Sequence, residues 1–133
     1  KAVSHFGYSW ARPHTDIRML EDFNEKGWDV CYMRIASLLE TRPNIFGIVA
    51  TAWFYDPQLL DISPRLAYLQ TRPLERGAFL FRHGPAPHHT ARAIEKSETR
   101  RKLVEEGKYI PVCYSMIWPR KALIKWAKSE KRE

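Results

Sequence analysis

A nearly unbroken apolar run from Ile45 to Tyr55 places the strongest restriction on the fold of this chain. The run is rich in β-branched and aromatic residues and is apolar at both alternating sets of positions. A strand with one face in water would alternate apolar and polar residues, so this run predicts a central strand covered on both faces, as in layered α/β folds. Periodicity alone leaves a buried helix open. The run is far short of the roughly 20 residues that a membrane span needs.

The segments on either side of this strand alternate between helical and extended patterns. Before the central strand, the sequence predicts a strand or aromatic arm within residues 1–14 and then two helices, or one helix bent near Gly27, over residues 15–42. After it comes an ambiguous segment 59–74, which is helical or extended at Arg65–Gln70, followed by a strand Ala78–Phe81. The remaining predicted elements are a helical region Thr90–Gly107 recapped at Ser97, a strand Tyr109–Trp118, a helix after Pro119 and a frayed tail 129–133. We therefore predict a single α/β domain over residues 1–133, with a mixed central sheet flanked by helices.

The net charge and the cysteines indicate which kinds of partner and which cell compartment to expect. The chain of 133 residues carries a formal net charge of +7, which favours anionic partners such as nucleic acid or phosphorylated ligands. Cys31 and Cys113 both lie in apolar surroundings, which predicts two buried thiols in a reducing compartment rather than a bridge. The chain opens without the pattern of a signal peptide. We expect a cytoplasmic protein without membrane association, and the sequence leaves its oligomeric state open.

The segment from Phe81 to Thr90 is the candidate functional site. A short apolar strand runs into a loop that contains Arg82, His83, Gly84, two prolines, His88 and His89, and then into a helix. The junction between a strand and a helix N-terminus is a common place to hold an anion.

Two other interpretations of this segment fit less well. Arg82-His83-Gly84 resembles the Arg-His-Gly signature of the histidine phosphatases, but that family carries it on its first strand and needs a long domain after it. His83, His88 and His89 have no carboxylate near them in the sequence, and prolines stiffen the loop between them. We therefore expect no metal here, and interpret these histidines as loop residues that contact an anion.

The order of the elements resembles that of the GNAT acyltransferase superfamily. In that family the fourth strand, its loop and the next helix hold the pyrophosphate of acetyl-CoA. The resemblance implies a protein that binds acyl-CoA as cofactor and is either an N- or O-acyltransferase or a degenerate relative that has lost this activity. It assigns the ligand contacts to residues on and after the strand Ala78–Phe81. These predicted contacts are Phe81, Arg82, His83, Gly84, His88, His89 and Thr90, with Arg92 and Lys96 adding long-range attraction. Tyr114, on the strand that matches the family's fifth, would donate a proton to the leaving thiolate.

A second class of function competes with acyl transfer. Helical spacing places Arg92, Lys96 and Arg100 on one basic face, and the final helix carries a second face of positive charge. The residues of that second face are Arg120, Lys121, Lys125 and Lys128. Both faces could follow the phosphate backbone of a nucleic acid without catalysis, although no base-reading motif accompanies them.

Overall fold

The computed structural model describes residues 9–11 and 24–131. In these residues the strands are β1 (Ser9–Ala11), β2 (Ile45–Ala52), β3 (Phe79–Gly84) and β4 (Cys113–Pro119). The helices are α1 (Glu25–Glu40), α2 (Leu59–Ile62), α3 (Tyr68–Glu75), α4 (Pro87–Ile94), α5 (Glu98–Glu105) and α6 (Arg120–Lys131), with 3-10 turns at Trp53–Tyr55 and Pro64–Leu66.

The four strands form one open sheet in the order β1-β2-β4-β3. β1 runs parallel to β2, with Ser9 opposite Ile45. β2 and β4 run antiparallel, because Gly47 lies against Trp118 near one end of the pair while the Thr51 and Ser115 side chains meet near the other. The sheet is therefore mixed, and the predicted α/β class with a mixed central sheet is confirmed.

Gly47 allows β2 to pass unusually close to the end of β4. It has a φ of 152°, and a Cβ built on it would lie 2.2 Å from the carbonyl oxygen of Trp118 and 2.8 Å from the amide nitrogen of Arg120. Both neighbours are backbone atoms, which cannot rotate away as a side chain could. Only glycine fits at this position without movement of the chain.

The described residues group into two units, of which the first comprises 9–11, 24–50, 73–79 and 117–131. In this unit α1 packs against α6. The Tyr32 ring meets Trp118 edge-on at 5.0 Å, and Trp118 lies 5.5 Å from Trp126 between ring centroids. Arg76 covers the Trp126 ring and forms a 2.7 Å ion pair with Asp29. This unit is therefore held by an aromatic core with a partly buried ion pair beside it.

The second unit comprises residues 51–72 and 80–116, and a buried carboxylate connects its segments. Asp56 is 1% exposed. Its side chain accepts hydrogen bonds from the backbone and side-chain nitrogens of Gln58, at 3.0 and 2.8 Å, and from the amide of Val112 at 3.0 Å. Its backbone carbonyl accepts a 2.9 Å bond from Gln70 in α3. One residue thus joins the end of β2, α3 and the segment before β4.

Local sequence signals set the limits of α5. Ser97 caps its N-terminus by accepting a hydrogen bond from the amide of Arg100, as its position predicts. At the other end Gly107 has a φ of 73°, and the amides of Gly107 and Lys108 donate to the carbonyls of Val104 and Leu103. This is the Schellman arrangement that a C-terminal glycine favours.

Several predicted boundaries are wrong. Gly27 does not bend a helix, because its amide donates to the Asn24 cap and it lies in the first turn of α1. The predicted strand Ile45–Tyr55 turns into a 3-10 helix at Trp53, and the ambiguous Arg65–Gln70 is helical. Residues 129–131 continue α6 rather than fraying. The predicted helix before Gly27 and the residues of the aromatic arm other than 9–11 lie outside the described residues.

Replacing Asp56 with Asn tests the importance of the buried carboxylate. An amide NH₂ would face an N–H donor in either orientation, so at least one hydrogen bond to a charged acceptor is lost and a buried donor is left unsatisfied. We expect Asp56→Asn to lower the free energy of unfolding by about 2–3 kcal/mol in urea denaturation. The exposed Asp61→Asn is the matched control and should change it by less than about 0.5 kcal/mol. Equal values for the two variants would contradict this role of Asp56.

Candidate functional site

The β3 strand carries the centre of the candidate site. The sequence predicts that this strand ends at Phe81, but it continues to Gly84, so Arg82 and His83 are strand residues and the loop shortens to Pro85 and Ala86. Gly84 has a φ of 117°, which favours glycine at the turn out of the strand, and a Cβ built on it would meet no atom within 4 Å.

His83 forms one end of a short chain of polar side chains. Its Nε2 lies 2.6 Å from the hydroxyl oxygen of Ser115 on β4, and that oxygen lies 2.6 Å from Thr51 Oγ1 on β2. Ser115 is 4% exposed, whereas His83 and Thr51 are exposed. A buried hydroxyl therefore connects an imidazole to a second hydroxyl, in an arrangement through which a proton can be shared.

His88 and His89 begin α4 close to this imidazole. Their ring centroids are 4.0 Å apart, and the Nδ1 atom of His89 is buried without a hydrogen-bond partner in the described chain. Burial lowers the pKa of His89, and the nearby positive charges of His88, Arg92 and His83 lower it further. The four side chains thus form a cationic cluster, and no carboxylate is among the charges that act on His89.

The backbone at the start of α4 has few amides left for a ligand. Pro85 and Pro87 have no N–H. The amides of His89 and Thr90 both donate to the Ala86 carbonyl, and the Thr90 hydroxyl donates to the same oxygen at 3.3 Å. The predicted role of Thr90 as a phosphate donor would require these bonds to break. An anion here would therefore depend on side chains rather than on the helix N-terminus.

The strands divide the predicted contacts between two faces of the sheet. The rings of Phe81 and His83 lie 5.2 Å apart and share the face of Ser115. Alternation along β3 and β4 places Arg82 and Tyr114 on the opposite face. The structure therefore gathers His83, His88, His89 and Arg92, and leaves Arg82 and Tyr114 apart from them. The roles of Arg82 and Tyr114 remain predictions.

Sequence reasoning missed Ser115 and Thr51. Each is a small polar residue in an apolar strand, and such positions are as often filled by residues that merely pack. The signal that could have found Ser115 is its place in a strand whose neighbours Cys113 and Met116 are buried, since a buried hydroxyl needs a partner. Identifying that partner as His83 requires the pairing of β3 with β4, which the sequence alone does not provide.

The predicted basic face of Arg92, Lys96 and Arg100 is not continuous. Lys96 lies between α4 and α5, and Arg100 is 6% exposed, so it points into the protein. On α5 an ion pair joins Glu98 and Arg101. The basic residues Lys121, Lys125 and Lys128 of α6 are exposed, as predicted.

Metal-binding clusters and membrane-crossing helices are both absent from the described ranges. No group of three or more histidine, cysteine, aspartate or glutamate side chains there is arranged to hold a metal ion. Both cysteines are free thiols, and burial raises the pKa of each. None of the helices in residues 24–131 combines the length and the apolar character that crossing a bilayer requires.

The lowered pKa of His89 predicts how stability depends on pH. Because the folded state holds this proton less tightly than the unfolded chain, protonation favours unfolding. The free energy of unfolding should therefore fall as the pH decreases from about 6.5, the ordinary histidine value, through the lower folded pKa. Urea denaturation of wild type and His89→Gln between pH 7.5 and 5 measures the free energy of unfolding of each protein. The pH-dependent part of the difference between them should vanish at the upper end of this range.

The control for this prediction is His88→Gln. It removes one nearby charge and leaves the burial of His89, which is the larger cause of its pKa shift, in place. His88→Gln should therefore change the pH dependence less than His89→Gln. Identical pH profiles for wild type and His89→Gln would show that His89 titrates normally.

Comparison with protein families, with curated proteins and with solved structures found no similar protein. The arrangement of the side chains at the candidate site is therefore the basis on which a function is proposed.

Proposed function

We propose that the protein binds a phosphorylated, acyl-CoA-like ligand on the face formed by His83, His88, His89 and Arg92, and that acyl transfer to nitrogen or oxygen is its reaction. The observation that carries this proposal is the cationic cluster around His89, with its buried and unpartnered Nδ1. The order of elements that resembles GNAT acyltransferases supports the choice of ligand.

The cluster has the chemistry that a phosphate needs. Arg92 is a permanent cation, and any proton taken up by one histidine is opposed by the positive charges of its neighbours, as the effect on His89 indicates. An anion placed among them would relieve that repulsion, and a protonated His89 could then donate from Nδ1. Arg92 is exposed and can donate two parallel hydrogen bonds to phosphate oxygens. The residues present therefore fit a phosphate-bearing group.

His83 is the residue best placed to handle a proton in this reaction. A bound acyl-CoA would supply an activated thioester carbonyl. The attacking amine or hydroxyl, on bonding to that carbonyl carbon, must lose a proton, and the thiol released as the C–S bond breaks must gain one. His83 is exposed on the cluster's face, and its Nε2 is held by Ser115, which in turn is held by Thr51. These contacts orient the imidazole as a general base. Phe81, beside it, offers an apolar surface for an acyl chain.

The experiment that tests this proposal is a calorimetric titration of the protein with acetyl-CoA and with a longer acyl-CoA. Arg92→Ala should weaken binding about tenfold, the usual effect of losing a charge-assisted hydrogen bond. Arg82→Ala removes the same charge from the opposite face of β3 and is the matched control. A loss confined to Arg82→Ala would move the ligand to that face, and no binding by wild type would reject the proposal.

Ser115→Ala separates catalysis from binding. It removes the hydroxyl that orients His83 but replaces no residue of the cationic cluster. If His83 acts as a base, the turnover of an acyl-CoA with a panel of amine acceptors should fall while the dissociation constant of the acyl-CoA stays unchanged. Equal turnover in both proteins would exclude His83 held by Ser115 as the base.

A second function, nucleic-acid binding, is supported by one specific observation. Lys121, Lys125 and Lys128 form an exposed row along α6, opposite the buried Leu123 and Ala127. Such a row can follow a phosphate backbone without reading sequence.

The salt dependence of binding tests this second function. If the row binds duplex DNA, replacing all three lysines with glutamine should reduce the slope of log affinity against log salt by about 0.9 for each phosphate that is no longer neutralised. Fluorescence anisotropy with a labelled duplex at 50–200 mM salt provides the measurement. The control is Lys102→Gln, which makes the same substitution at an exposed lysine on α5. An unchanged slope in the triple variant would exclude α6 as the binding surface.

A further inference from the structure

Arg100 is a buried cation on the inner side of α5. Its Nε donates to the Ala93 carbonyl at 2.5 Å, one terminal nitrogen donates to Ser63 Oγ at 2.9 Å, and its guanidinium lies 4.8 Å from the centre of the Trp53 ring. These contacts use two of its five N–H donors.

No carboxylate pairs with Arg100 among residues 9–11 and 24–131. Burial lowers the pKa of Arg100, Tyr109 opposes that shift, and the positive charge of Arg65 adds to it. A buried charge normally has an ionic partner, because leaving water without one is costly. Arg65 is therefore near enough to act on Arg100, and in the described chain neither arginine forms an ion pair with a carboxylate.

Tyr109 adds an unsatisfied donor to the same cluster. It is 1% exposed, and its hydroxyl makes no hydrogen bond within the described residues. Burial and the Asp56 carboxylate raise the pKa of Tyr109 to about 12, and the nearby Arg100 opposes that shift. The phenol is therefore a neutral donor at physiological pH, although a buried tyrosine hydroxyl usually has a partner.

From these contacts we propose that Arg100, Tyr109, Ser63 and Arg65 form a second anion site, separate from the cationic cluster at His89, which holds a phosphate group. The Ser63 oxygen accepts from Arg100, so its own hydrogen is free to donate. Two cations and two hydroxyl donors match the charge of about −1.5 to −2 and the several oxygens of a phosphate better than the two oxygens of a carboxylate. Arg65 is exposed and Ser63 half-buried, so a ligand would approach from their side.

The choice of variant distinguishes a ligand site from a structural contact. Arg100→Ala would disturb α5 through its bonds to Ala93 and Ser63, so loss of folding could hide the effect. Tyr109→Phe removes only a hydroxyl that has no partner in the described chain, and it should leave the free energy of unfolding unchanged or raise it. The same change should weaken phosphate binding about tenfold, because the hydroxyl donates to a charged ligand in the bound state. A tyrosine with only a structural role would not combine an unchanged or higher free energy of unfolding with weaker phosphate binding.

The probe is inorganic phosphate, added at constant ionic strength against chloride and followed by the NMR signal of the Arg100 Nε–H group. A saturable shift in wild type, weakened about tenfold in Tyr109→Phe and in Arg65→Gln but retained in His89→Gln, would support the proposal. Phenyl phosphate as a second ligand then distinguishes a phosphomonoester from the free ion as the natural occupant. No shift with phosphate, an equal shift with chloride, or an unchanged affinity in Tyr109→Phe would overturn it. The retained response of His89→Gln also separates this site from the acyl-CoA proposal.

Discussion

The hydrogen bonds around the Asp56 carboxylate are the interaction on which the second unit depends. Asp56 follows the 3-10 turn Trp53–Tyr55 after β2, and residues as distant in sequence as Gln70 and Val112 contact it. A single buried charge, surrounded by donors from Gln58 and Val112, fixes where both segments lie. Such a charge tolerates burial only when its acceptors are filled, so the arrangement is specific as well as stabilising. The position of Ser115, three residues after Val112, follows from this anchor.

The same unit also concentrates positive charge that its own carboxylates do not balance. Around the half-buried His89 the cations lie at the surface, whereas Arg100 is withdrawn from water beneath Trp53. Asp56, the buried acid, is occupied by amide donors and compensates neither group. The net charge of +7 is therefore not only a surface property, since part of it lies where a specific anion would lower the electrostatic energy.

Short-range patterns in the sequence predicted the features that local preferences of the backbone determine. The composition of β2, the cap at Ser97 and the glycine at Gly107 each reflect such a preference, and each is found in the structure. The end of β3 was missed, because extension of the strand to Gly84 depends on pairing with β4 rather than on the residues themselves. The Ser115–His83 hydrogen bond and the burial of Arg100 were missed for the same reason. Both join residues distant in sequence, and helical spacing alone made Arg100 resemble a surface residue.

The crowding at Gly47 bears on how relatives of this protein could be recognised. A side chain there would collide with backbone at the junction of β4 and α6, so a protein that retains this packing must retain a glycine three positions into its second strand or separate the two segments. Few other positions in the chain tie residue identity so directly to backbone geometry. Where overall similarity has faded, a glycine in an apolar strand, followed some seventy residues later by an aromatic-proline-basic junction, would be a more durable signature of common ancestry than the histidine-rich segment.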